Sequence, residues 1–242
     1  MKRLKKLSPI SALHYWKLAV RSLLLIAVLV SYLLEREHGL QGRKPLKIAV
    51  WLIFVVEMLL RFFPSRLESM GCQKVFAGNY RPTGAPLPSN RSWKTTAAVT
   101  TAWLLLNGII GVLYFAKLIN VGVLVIICLV YSVCDVVCIL FFCPFQTWFM
   151  KNRCCTTCRI YNWDFAMMFT PLVFVPRLYT YTLLGFALLL LLRWEVTYRL
   201  HPERFYSECN ASLHCISCKE KLCSHKTQLQ SFLKKHRGKL FS

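Results

Sequence analysis

The feature that most constrains this chain is a set of long apolar runs almost free of charge. They lie at about 18–34, 48–63, 97–118 and 121–142, with a fifth of thirty residues from Phe165 to Trp194. A helix needs about 20 mostly apolar residues to cross a hydrocarbon core about 30 Å thick. Apolar runs of that length exclude a disordered chain and a soluble nucleic-acid binder. The length of 242 residues excludes a small disulfide scaffold despite 12 cysteines. The expected class is all-α: a polytopic membrane helix bundle in the cell membrane.

The fifth run is long for one crossing and short for two. Charge chooses between them, because Lys and Arg gather on the cytoplasmic side of membrane proteins. Folding the run into a hairpin, 162–176 and 178–194, puts most of the 31 Lys and Arg on one side. A single crossing divides them almost evenly. The sequence therefore predicts six spans with both termini in the cytoplasm and a turn at Pro176-Arg177-Leu178-Tyr179. It divides into a bundle over 1–200 and a basic, cysteine-rich tail over 201–242. Ser8-Pro9 predicts a helix start, opening a short interfacial helix with Tyr15 and Trp16 that leads into an uncleaved first span.

Eight of the cysteines flank the predicted hairpin: Cys143, Cys154, Cys155 and Cys158 before it, Cys209, Cys215, Cys218 and Cys223 after it. In a reducing cytoplasm such thiols serve as metal ligands or redox groups more readily than as disulfides. Cys155-Thr156-Thr157-Cys158-Arg159 and Cys215-Ile216-Ser217-Cys218-Lys219 are matching C-x-x-C units. Two such knuckles make a tetrahedral four-thiolate site of the structural zinc kind, with the adjacent cation favouring the thiolates. Cys143, Cys154, Cys209, Cys223 and His225 are alternate ligands. Four thiolates also suit an iron–sulfur cluster, although the tail's C-x5-C-x2-C-x4-C spacing fits neither ferredoxin pattern. Asn152 to Asp164 (NRCCTTCRIYNWD) and the tail NASLHCISCKEKLCSHK resemble an uncharacterised family of bacterial multi-pass membrane proteins. That resemblance implies a shared architecture and no activity.

Ionisable groups at membrane depth are costly and mark function by default. Glu57 and Arg61, four apart, are expected to pair on one helix face. Asp135 is expected to meet Asn107 or Tyr131, so that interhelical hydrogen bonds tie the bundle together. Cys128, Tyr131, Asp135 and Cys138 share one face. Gly108 and Gly111 read as ordinary packing positions.

The 71–94 loop, rich in Gly, Pro, Asn and Ser, is irregular, and its length favours a functional role such as covering the face of the bundle. Asn90-Arg91-Ser92 and Asn210-Ala211-Ser212 match glycosylation acceptors but fall on the predicted cytoplasmic side. In the tail, Leu229, Phe232 and Leu233 form an apolar stripe beside Lys226, Lys234, Lys235, Arg237 and Lys239, which suits a helix lying on anionic headgroups. No nucleic acid is expected as a partner. No phosphate-binding loop, nucleophile elbow, zinc-protease or dinucleotide motif occurs in the sequence. Three readings follow. In the first, a cytoplasmic cysteine-ligated metal, zinc first, serves assembly or partner binding. The second is membrane electron transfer by an iron–sulfur cluster or a dithiol, and the third a small transporter using Glu57 and Asp135.

Overall fold

The computed structural model describes residues 9–34, 44–64, 73–88, 93–150, 158–214 and 216. Its long helices are α1 (Pro9–Leu34), α2 (Lys44–Phe62), α3 (Trp93–Phe115) and α4 (Val121–Leu140), followed by the short α5 (Asp164–Phe169) and the long α6 (Leu178–Leu200). Among the described residues there is no strand; one isolated bridge joins Pro82 and Asn210. Helices α1, α3 and α4 are long and apolar enough to cross a membrane. Helix α2 carries Lys44, Lys47, Glu57 and Arg61 within its 19 residues, and α6 carries Arg193, Glu195 and Arg199 near its end. Large apolar side chains such as Leu105, Ile109, Val112 and Phe115 of α3 lie exposed. In water an apolar face of that extent is a liability, whereas in lipid it faces its own kind.

The expected interfacial helix and first span are one continuous helix. Buried Ser11, His14, Arg21, Val28 and Ser31 form a single stripe along α1, at the spacing that keeps residues on one helix face. That stripe packs antiparallel on α4: Tyr15 meets Phe141, Arg21 meets Ser132 and Asp135, and Tyr32 meets Asn120. Asn120 also caps α4, its side chain accepting from the Val123 N–H at 3.1 Å. Helices α2 and α6 run parallel, with Trp51 Nε1 donating to Thr182 and Arg193 lying over Phe62.

The predicted hairpin of two short helices is corrected in one leg. Residues 161–174 are a 3-10 turn (Tyr161–Trp163), the six-residue α5 and a second 3-10 stretch (Thr170–Phe174). Pro171 has no N–H to give a helix and clashes with the turn before it, which accounts for the break. The other leg runs straight through the predicted end at residue 194 to Leu200, stopping before Pro202. The chain does double back near Arg177. The Thr180 hydroxyl donates to the Val175 carbonyl at 2.6 Å and accepts from the Arg177 N–H at 3.3 Å. At the far end of the legs, Arg159 pairs with Glu195.

The core gathers Phe54 and Met58 of α2, Phe165 and Phe169 of α5, and Leu190 and Trp194 of α6. The 73–88 stretch of the loop packs against it. Val75 is buried in the same cluster, and Phe76 packs edge-on against Trp194.

Gly111 is more than an ordinary packing position. A Cβ there would sit 2.5 Å from Cζ of Phe174, whereas one at Gly108 meets nothing within 4 Å. Gly111→Ala is therefore expected to lose about 1–3 kcal/mol to overpacking, and Gly108→Ala to be neutral or better by helix propensity. Thermal unfolding of the detergent-solubilised variants, side by side, checks the contrast.

Candidate functional site

Four helical segments converge on a buried charge network. Arg21, 1% exposed, donates to Glu57 at 2.5 Å, to Asp135 at 3.1 Å and to the Ser132 carbonyl at 2.8 Å. Its guanidinium also lies over the Phe54 ring. Arg61 pairs with Asp164 at 2.6 Å and lies 4.6 Å from the centroid of Phe165. The expected partners were Arg61 for Glu57, and Asn107 or Tyr131 for Asp135; the structure gives both carboxylates Arg21. An intrahelical neighbour is always within reach, but a guanidinium presents five donors in a fixed fork. Arg21 can therefore serve carboxylates on two other helices at once. Asn107 turns its amide back to the Trp103 carbonyl at 2.9 Å.

Two members of this network, and a buried residue near it, were not read as site residues. Arg21 sits inside an apolar run and Asp164 at the head of another, and an ionisable group in such a place demands a partner. His14 is the third: it is buried, and neither ring nitrogen has a hydrogen-bond partner among the described residues.

Beside the network lies a half-open cavity of about 150 Å³. Helix α4 lines it with Tyr131, Cys134, Asp135 and Cys138, three of them members of the face read from the sequence; Cys128, the fourth of that face, is buried in the core. Across from α4 stand Trp103, Cys143, Phe145 and Cys158. Four cysteines thus share one cavity, and the thiols of Cys138 and Cys143 are hydrogen bonded to each other. Burial pushes the Cys158 thiol up to about 11, against the opposing pull of the Ile160 backbone and Arg159.

Of the cysteines assigned to a metal, Cys158 and Cys143 lie at this cavity. Cys209 lies elsewhere, buried, with its thiol directed at the Ala85 and Pro86 carbonyls at 3.6 Å. Cys154, Cys155, Cys215, Cys218, Cys223 and His225, and the amphipathic stretch from Lys226 to Lys239, lie outside the described residues. Among the described residues no three His, Cys, Asp or Glu side chains are grouped as a metal site requires.

The first part of the predicted tail is folded against the 73–88 loop. Asn210 is fully buried. Its amide donates to the carbonyls of Arg204 at 2.8 Å and Lys74 at 3.2 Å, and its oxygen accepts from the Ser212 N–H at 3.0 Å. Backbone bonds from Thr83 to Cys209 and from Ala211 to Arg81 complete the seam. A glycan on Asn210 would not fit this packing; Asn90 lies outside the described residues.

The fold and these sites define an all-helical chain with membrane-length apolar helices, an internally paired charge network and a thiol-lined cavity. No family model, curated protein or solved structure matches it.

Proposed function

We propose that this is a multi-pass integral membrane protein, with six spans and both termini cytoplasmic, whose cysteine-rich end is fastened by a thiolate-bound zinc. The metal would be held by Cys155, Cys158, Cys215 and Cys218 and would serve assembly or the binding of a protein partner. The observation that carries this reading is the junction around Arg159. That residue directly follows Cys158, forms a two-pronged pair with Glu195 at 2.7 and 2.5 Å, and lies 3.8 Å from the Tyr198 ring centroid. Tyr198 in turn shares a hydrogen bond with Tyr206 at the root of the tail. One knuckle therefore ends against the helix from which the segment bearing the other departs.

The alternating helix directions, α1 against α4 and α2 along α6, suit a six-crossing path. The basic tail would rest on anionic headgroups. Transport through Glu57 and Asp135 is less well supported, because both are already tied to Arg21.

Anaerobically purified full-length protein is expected to carry one zinc per chain by elemental analysis. Cys155→Ser and Cys218→Ser should each lose it while remaining monodisperse. Thiolate ligation releases protons, and the raised Cys158 thiol holds its proton tightly, so a chelator should strip the metal more readily as pH falls. A brown sample rich in iron would replace zinc by an iron–sulfur cluster, and absence of both metals would end the reading.

A further inference from the structure

We infer that Cys138 and Cys143 form a redox-active dithiol that is oxidised to a disulfide by a lipid-soluble quinone entering the cavity beside them. The two thiols are in hydrogen-bond contact and line one cavity, the starting arrangement for an S–S bond of about 2.05 Å. Cys143 lies beyond the end of α4 at Leu140, next to Pro144, where the chain can adjust without breaking a helix. Cys158, one of the proposed zinc ligands, lines the same cavity, but Cys138 is not among those ligands and its thiol meets Cys143. Among the described residues no third donor joins the pair in a metal-binding group, so its own chemistry is that of two sulfurs.

The cavity selects the oxidant. Along α4 it reaches from Cys138 and Ile139 back to Tyr131, about 12 Å at 1.5 Å per residue, into one of the helices long and apolar enough to cross a membrane. Its walls are aromatic: Trp103 lies 4.7 Å from the Tyr131 ring and 6.5 Å from that of Phe145, centroid to centroid. Asp135 and Asp164, the charged groups on its wall, are each held by an arginine, Arg21 and Arg61, and the rest of the lining is mostly apolar. At about 150 Å³ it is of a size to take a single planar ring. A quinone dissolved in the bilayer meets each condition, its isoprenoid tail remaining among the lipids.

The step balances within these partners. Both S–H bonds break, one S–S bond forms, and two electrons and two protons pass to the quinone's two carbonyl oxygens, giving the quinol. Thiol–disulfide exchange with a cellular dithiol would return the pair to its reduced form.

The test uses full-length protein in nanodiscs, reduced, freed of reductant and held without oxygen. Decylubiquinone is the probe, because its fully substituted ring cannot be alkylated by thiols. The expected result is one quinone reduced per protein, read by loss of its ultraviolet absorbance, with a Cys138–Cys143 linked peptide found by mass spectrometry. Cys138→Ser and Cys143→Ser should each lower quinone loss at least tenfold, while Cys209→Ser, whose thiol lies outside the cavity lining against the Ala85 and Pro86 carbonyls, should leave it unchanged. If either serine variant fails to fold, the linked peptide of the native chain still decides. Quinone left unreduced by the native protein, reduction that persists in a folded Cys138→Ser variant, or a disulfide joining other cysteines would each overturn the inference.

Discussion

Arg21→Leu is expected to be the most damaging single substitution outside the backbone. It removes the cation shared by Glu57 and Asp135 and leaves two carboxylates facing each other in a space from which water is largely excluded. Breaking a buried ion pair by deleting one partner costs about 3–5 kcal/mol, a large share of the 5–15 kcal/mol that holds a typical folded protein together. The detergent-solubilised variant should aggregate or melt far below the native protein in a fluorescence-detected size-exclusion thermal series. The compensated variant Arg21→Leu/Glu57→Gln/Asp135→Asn should recover most of the loss, because replacing a buried ionic group whole is often nearly neutral. Arg21→Lys should fall between them, since an ammonium lacks the fork that reaches two carboxylates and a carbonyl together. If the single and compensated variants melt alike, the network is not what holds α1 to α2 and α4.

The second large effect is expected at Asn210. Asn210→Ala strips partners from the carbonyls of Lys74 and Arg204 and from the Ser212 N–H, at about 1–3 kcal/mol for each group left buried and unpaired. Asn210→Asp should be worse, for a carboxylate accepts where the two carbonyls need a donor. The loss should be local. Residues 202–214 and the 73–88 loop should separate from the bundle end, while the contacts of α1 with α4 persist. Hydrogen exchange should rise in both segments together, and limited proteolysis should cut within 202–214 without loss of the main size-exclusion peak. Protection unchanged in the Ala variant would show that the backbone bonds of Thr83 and Ala211 hold the seam without it.

Both predictions turn on groups that the sequence did not single out for burial, and whose partners it did not show. A period of 3.6 tells which residues of α4 share a face, and Tyr131, Asp135 and Cys138 do share one, along the cavity. It carries no information on which helix will be laid against that face. Arg21 finds Glu57 36 residues away and Asp135 114 away. The nearer reading, Glu57 with Arg61, satisfied every local rule.

The same division runs through the 161–200 hairpin. Its turn near Arg177 could be placed from charge asymmetry and prolines, because cations resist burial in lipid and Pro resists a helix interior. The unequal legs could not. Thr170–Phe174 follows a tighter path that places Phe174 on Gly111, a contact known only when α3 is alongside.

Apolar length and the sign of the flanking charge belong to the chain one segment at a time, and from them come the long helices and the reversal. Pairing belongs to space. Arg21's two carboxylates, the meeting of Cys138 with Cys143 across the end of α4, and the docking of Asn210 onto Lys74 each depend on which surfaces exclude water from one another. That is a property of the packed bundle, since a buried donor takes whichever acceptor the neighbouring helix presents.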